Sequence, residues 1–379
     1  MKSPRLLAAA AALVILSVWL QREFARGTFD EVERRFAGWL AANTGATAAL
    51  PPLVVVLYDE ESSQLSGTDR LAMLDGALFA RAAAQLGAVA AGVEGLNGNP
   101  VRMLEAAGRM PVFGGFDATS PPGNGWTTCE GTPDRRWPEL PGLTGPSTAR
   151  YARGFFAPPS GAAGPRRIPF VARHSDRPVA SFLAMAWAAG QRLRPHEIRA
   201  LPGRIEGRGR FVPLDSRGAS SFFARDAARI MTMNQFLVVA ERFERDGGES
   251  PLRGSVIVLC RATPDVARVA SGGAELTPAE LWAQSWQALR QGRTFVVPGW
   301  WYPLLVALVA VALCAGPARR GWVAVVGTGA AVLLAYLLAA LAAFGTYGLL
   351  LPFVPSAVTM VAGLLLGRLF APRPATAVP

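Results

Sequence analysis

The sequence predicts an α/β domain with a largely parallel or mixed sheet flanked by helices, plus four transmembrane α-helices. Three observations carry this. Residues 53–58 and 255–260 are continuous apolar runs rich in Val, the pattern of strands covered on both faces. An Ala-rich helical stretch, 71–86, separates the first run from a second apolar strand, 88–94, and strand–helix–strand at this spacing implies a parallel crossover. Uncharged stretches of 25 residues (294–318) and 47 residues (321–367) have room for one and two membrane helices.

The first span is read at 6–20, within 16 uncharged residues between Arg5 and Arg22. At about 1.5 Å per residue these cover roughly 24 Å. Val18, Trp19, Leu20, Gln21 and Arg22 close the run without the small residues of a cleavage site, so an uncleaved anchor is expected. The C-terminal spans are read at about 301–316, 321–343 and 348–369, with a break at Phe344-Gly345-Thr346-Tyr347-Gly348. Arg319 and Arg320 occupy one loop, Arg368 and Arg373 follow the last span, and Lys2 and Arg5 precede the first. The positive-inside rule then puts both termini in the cytoplasm and the large domain outside the inner membrane. Trp300, Trp301 and Tyr302 fit an outer aromatic belt and Trp322 an inner one. Pro352 and Pro355 are expected to kink the last span. The expected organisation is an anchor (1–21), an exported domain (22–299), a three-helix membrane region (300–370) and a short cytoplasmic tail (371–379).

Within the exported domain, 22–42 reads as a helix continuing outward, with Phe24, Val32, Phe36, Trp39 and Leu40 on one face and Arg and Glu elsewhere. Pro51-Pro52 stops it. Residues 111–116 read as a third strand. The stretch 117–165 is rich in Pro, Gly, Thr and Ser and lacks periodicity. Order resumes with a strand at 166–171, helices at 179–190 and 230–244, and the 255–260 strand. Thr277-Pro278 opens a last helix to about 291, with Thr as N-cap and Pro in the first turn.

Composition excludes several classes. Of 38 basic residues only Lys2 is a lysine, so the chain has no P-loop, kinase-strand or Schiff-base lysine. Arg is no substitute, because a guanidinium stays protonated in proteins. The net charge of +11 divides between topology-setting residues at the spans and a small excess in the domain, with no Arg-aromatic patch for nucleic acid. Cys129, Cys260 and Cys314 have no metal spacing, and His174 and His196 belong to no hydrolase motif. Pairing of Cys129 with Cys260 is left open. No cofactor and no catalytic residue are expected.

The chemistry-bearing candidates are acids and arginines. Asp59, Glu60, Glu61 and Ser62 follow the first strand at its carboxyl end, where open α/β sheets place ligands. With Glu94 at the end of the second strand, they are suited to a divalent cation or a polar ligand, against the plainer reading of a solvated, capped turn. Arg166 and Arg167 suit an anion, but neighbours on a strand point to opposite faces, so structural pairing competes with that role.

The order of these segments resembles the second class of CHASE domains, extracytoplasmic sensory domains associated with cyclases and histidine kinases. The likeness rests on Val54-Val-Val-Leu-Tyr-Asp59-Glu60-Glu61-Ser62, Leu86-Gly87-Ala88 leading to Gly92-Val93-Glu94, and Arg166-Arg167-Ile168-Pro169 followed by Ser181-Phe182-Leu183-Ala184. Leu252-Arg253-Gly254-Ser255 with its strand, and Gly348 with Pro352 and Pro355, extend it. Ser255 stands where the family has Lys, Cys260-Arg261 where it has Gly, and the His of its last helix is missing from 276–283. The resemblance implies a membrane-anchored sensory or regulatory subunit. About ten residues follow the last span, and the usual output domain is not among them, so action on a separate effector in trans is expected. Its partners would be the lipid bilayer, an effector or envelope protein and a small-molecule ligand, with a homodimer left open. The alternatives are a docking component of an envelope assembly and, more weakly, an exported enzyme.

Overall fold

The structure is a computed structural model describing residues 4–45, 50–58, 73–94, 101–117, 127–140, 152–156, 164–223, 229–261, 269–271, 274–315 and 322–369. It divides into two compact units. A helical unit comprises Met1–Ala46, Ala163–Pro165 and Val296–Pro379, and an α/β unit comprises Thr47–Ala162 and Arg166–Phe295. The chain opens with helices α1 (Pro4–Ala25) and α2 (Asp30–Thr44). It then runs through β1 (Leu53–Tyr58), α3 (Met73–Gln85), β2 (Ala90–Glu94), α4 (Val101–Ala107), β3 (Val112–Asp117) and β4 (Ala152–Phe156). Next come three short strands, β5 (Arg166–Pro169), β6 (Val171–His174) and β7 (Arg177–Ala180), and helix α5 (Phe182–Gly190). Strands β8 (Arg199–Leu201), β9 (Arg204–Gly207), β10 (Arg210–Pro213), β11 (Ala219–Phe222) and β12 (Arg229–Thr232) precede α6 (Met233–Asp246) and β13 (Val256–Arg261). The hairpin β14 (Val269–Ser271) and β15 (Ala274–Leu276) leads to α7 (Pro278–Arg290), and the chain closes with α8 (Trp301–Ala315), α9 (Trp322–Tyr347) and α10 (Phe353–Leu369).

The α/β unit is built on a six-stranded sheet in the order β12-β1-β13-β2-β3-β4, every pair parallel. Strand alternation divides the apolar run of β1 between two cores. Val54 and Val56 join Phe79, Met103 and Phe236 beneath α3, α4 and α6, while Leu53 and Val55 join Phe182, Trp187, Trp282 and Trp286 beneath α5 and α7. Gly92 of β2 faces the second core, where a Cβ would come within 2.5 Å of the Phe113 ring. Leaving out that side chain lets Phe113, Phe182 and Trp282 pack as tilted rings at 5.1 Å centroid spacings. The expected cap of the last helix forms: Thr277 Oγ1 accepts the Glu280 N–H at 3.2 Å, and Glu280 returns to accept the Thr277 N–H at 2.6 Å.

Three expectations for this unit change. The helix expected at 179–190 starts at Phe182, because 177–180 form strand β7 and Ser181 then caps the helix. Residues 166–171 make not one strand but two, β5 paired with β11 and β6 with β7, because Phe170 between them turns into the core. The helix expected at 230–244 starts later. Residues 229–232 are edge strand β12, and Thr232 then caps α6 through a capping box with Gln235.

In the helical unit, Leu6–Ala25 and Trp322–Tyr347 are long and apolar enough to cross a membrane. Helices α8 and α10 have 15 and 17 residues, about 22 and 25 Å at the helical rise, against a hydrocarbon core near 30 Å. The break expected at 344–348 falls at its end: α9 runs to Tyr347 and stops at Gly348 with φ +64°, and Leu349 then bridges to Val296. The outward helix is interrupted too. The chain turns at Gly27, φ +82°, where a side chain would strike the Gly164 amide. The buried residues of α2 are Glu33, Ala37, Leu40 and Ala41; of the expected face Phe24 and Leu40 are buried and Phe36 packs on Phe353, while Val32 and Trp39 lie at the surface.

Candidate functional site

The sheet order reverses at β1. Strands β2, β3 and β4 follow it on one side, β12 lies on the other, and β13 fills the slot between β1 and β2. The crevice outside the carboxyl end of such a strand is the usual ligand position in open α/β sheets. Asp59, Glu60, Glu61 and Ser62 follow β1 directly but lie outside the described residues. Glu94 ends β2 at this edge. Register pairs Leu57 with Cys260 and Leu259 with Val93, which sets Cys260 beside Glu94. The buried Cys260 thiol hydrogen-bonds the Glu94 carboxylate. Burial first, then the Glu94 charge and this bond, push the thiol well above its ordinary pKa. Cys260 is therefore held as a neutral thiol, the wrong form for a nucleophile or a metal ligand. Among the described residues no group of three His, Cys, Asp or Glu side chains is placed to hold a metal.

The two arginines point to opposite sides of their strand. They sit on β5, which among the described residues pairs with β11 and not with the six-stranded sheet. Arg166 is buried, and Arg167 points the other way to an ion pair with Asp215. Cys129 and Cys260 are both buried free thiols.

A second constellation was not read from the sequence. In the helical unit Glu33 is fully buried, and its carboxylate accepts the first amides of α10, Phe353 N–H at 2.9 Å and Val354 N–H at 2.7 Å. These amides have no intrahelical acceptor, and the Glu33 charge complements the positive end of the helix dipole. Phe36, Tyr336 and Phe353 roof the site, with Phe36 5.0 Å from Phe353 and 6.5 Å from Tyr336. Tyr302 and Ser356 hydroxyls bond at 2.7 Å, Ser356 donates to the Pro352 carbonyl at 2.6 Å, and Tyr336 donates to the Leu351 carbonyl at 2.8 Å. Burial raises the Glu33 carboxyl to about 7, the two amide bonds oppose the rise, and Asp30 adds to it. The available signal was the spacing: Glu33, Ala37, Leu40 and Ala41 recur at helical intervals, which puts an acid in a core stripe.

Compared with protein-family models, curated proteins and solved structures, the chain matches none.

Proposed function

We propose that the chain is a membrane-anchored extracytoplasmic sensory or regulatory subunit, as its resemblance to the CHASE type 2 family suggests. In this reading α1, α8, α9 and α10 all span the inner membrane, both termini are cytoplasmic, and the α/β unit lies outside. The observation that best supports it is the inverted polarity of the helical unit. Ile15, Leu308, Val323, Val326, Leu338 and Val361 are exposed, whereas Ser17, Glu33, Ser356 and Thr359 are buried. That is the distribution expected of helices solvated by lipid, with polar groups paired inside. Helices α8 and α10 suit close membrane packing: a Cβ on Gly363 would stand 2.4 Å from the Ala310 carbonyl. Exposed Trp300 and Trp301 at the start of α8 fit an outer belt, and Trp322, with the Arg368 guanidinium 5.7 Å from its ring centre, an inner one.

Function follows from the chain path. The α/β unit is inserted between α2 and α8, and Glu33 ties α2 to α10. A ligand at the carboxyl edge of the sheet, near Asp59–Ser62 and Glu94, would act on the spans by binding two arrangements of the domain unequally. In this reading the chain acts on a separate effector. The test is isolation of the full chain in mild detergent. Recovery of a membrane or cytoplasmic effector in fixed ratio supports the reading, and recovery of the chain alone overturns it.

A docking role has its own support. The antiparallel sheet β8–β10 carries an exposed groove of about 590 Å³ with Glu130, Glu197, Glu206, Arg199, Arg204, Arg208 and Arg210 on its walls. A groove lined by both charges suits a polar protein surface better than a small apolar ligand. Recovery of exported partners only, with no small-molecule thermal shift, would favour this reading.

A further inference from the structure

We propose that Glu33 is a proton-binding site that clamps the start of α10 to α2, and that its ionisation loosens the clamp. The inference goes beyond the sensory reading and does not need an effector to be identified. Its basis is geometric. Glu33 is the single acidic side chain on the buried stripe of α2, and it reaches a helix end 320 positions away. The helices packed on α2 are α9 and α10. From its own helix Glu33 meets the charge of Asp30. From α9 the ionisable neighbour is Tyr336, and from α8 it is Tyr302. From α10 come two amides, and the one arginine of that helix, Arg368, belongs to its last turn. Among the described residues Glu33 makes no ion pair. The arginines of α2 turn to Glu31 instead, Arg34 at 2.7 Å and Arg35 at 2.9 Å.

Among the described residues that carboxylate has two amide donors and no cationic partner. In a loosened arrangement water reaches it, and its ionised form gains more from that than its neutral form does. Linkage fixes the sign. The clamped arrangement holds a proton near pH 7 and the loosened one, at the ordinary value, near pH 4.5. Protonation therefore favours the clamp, and ionisation draws it open as pH rises through about 7. Between about pH 6 and pH 8.5 the clamped-to-loosened ratio falls about tenfold. The ligand of this site is the proton, and the moving part is the start of a membrane helix.

The experiment uses the full chain in lipid nanodiscs. Amide hydrogen exchange over 349–357 is followed at about pH 6 and about pH 8.5 and corrected for intrinsic exchange. Protection should drop about tenfold at the higher pH in the wild type. In Glu33→Gln, which cannot ionise and keeps one acceptor oxygen for the two amides, protection should be the same at both pH values. Equal protection in the wild type at the two pH values overturns the proposal, and so does an unchanged pH dependence in Glu33→Gln. Should Glu33→Gln fail to fold, infrared titration of the wild type decides. A protonated-carboxyl band lost near neutral pH supports the site, and no such band above about pH 6 overturns it. Failure here leaves the sensory reading standing, since that rests on isolating an effector.

Discussion

The Glu33 carboxylate accepts the Phe353 amide at 2.9 Å across 320 positions of sequence. It stands where a local Ser or Asp cap would otherwise serve, since Pro352 precedes α10 and brings no side-chain acceptor. Glu33→Ala should leave two amides at a buried helix end without an acceptor, at a cost of about 1–3 kcal/mol.

The same residue sets a slope of stability with pH. Its folded value, about 7, lies above the ordinary 4.5, so its contribution is full below pH 4.5 and is lost as pH rises toward 7 and above. The difference is worth about 3 kcal/mol at most. Thermal unfolding of the full chain in detergent should therefore shift down between about pH 6 and pH 8.5. A wild-type midpoint that rises across this interval would contradict the assignment.

Gly92→Ala should destabilise the α/β unit by about 1–3 kcal/mol, because the new methyl meets the Phe113 ring at 2.5 Å and Phe182 at 3.0 Å. Phe113 also packs on Phe182, with ring centroids 5.1 Å apart. Denaturant unfolding followed by tryptophan fluorescence measures this, since Trp282 packs on the same Phe182.

Thr277→Ala should cost about 1 kcal/mol, the usual value of a lost N-cap. Thr277 is half-buried and shares its box with Glu280, so Glu280→Ala should cost less than Thr277→Ala, and the double variant less than the sum. A strictly additive double variant would show that the two caps act separately.

Legibility varied with the range of the interactions involved. Strands β1, β2 and β13 were readable because burial on both faces leaves a continuous apolar run. The α7 start was readable because a capping box is local chemistry. Strand β12 was not, since four residues directly before a helix share that helix's apolar pattern and only pairing with β1 distinguishes them. The β8–β10 sheet, rich in Arg and Glu, has almost no apolar alternation. At the candidate site, Glu94 was found from its place after a strand. Cys260 beside it needed the β13–β2 register. Glu33 is not singled out by the sequence, because the face of Phe24, Val32, Phe36, Trp39 and Leu40 is the more apolar one and leaves the acids of α2 outside it. No local rule indicates that an acid is wanted by a helix end 320 residues away.

The thiols supply a last prediction, which separates a structural edge from a reactive one. Burial pushes the Cys129 thiol up to about 12, and Cys260 is raised by burial and by Glu94. Only the thiolate is alkylated, and at about pH 8 a group titrating near 12 has roughly one thiolate in ten thousand. Iodoacetamide should therefore leave Cys129 and Cys260 of the folded chain unmodified over a time in which both react fully in the unfolded chain. Glu94→Gln removes the charge that opposes thiolate formation, so it should speed Cys260 labelling and leave Cys129 unchanged. Burial is the first cause of the Cys260 shift, so the gain should stay well short of the unfolded rate. Intact-mass spectrometry with peptide mapping resolves the two sites. Rapid alkylation of Cys260 in the wild type would mean that the carboxyl edge holds an activated nucleophile, and the enzyme reading would then displace the sensory one.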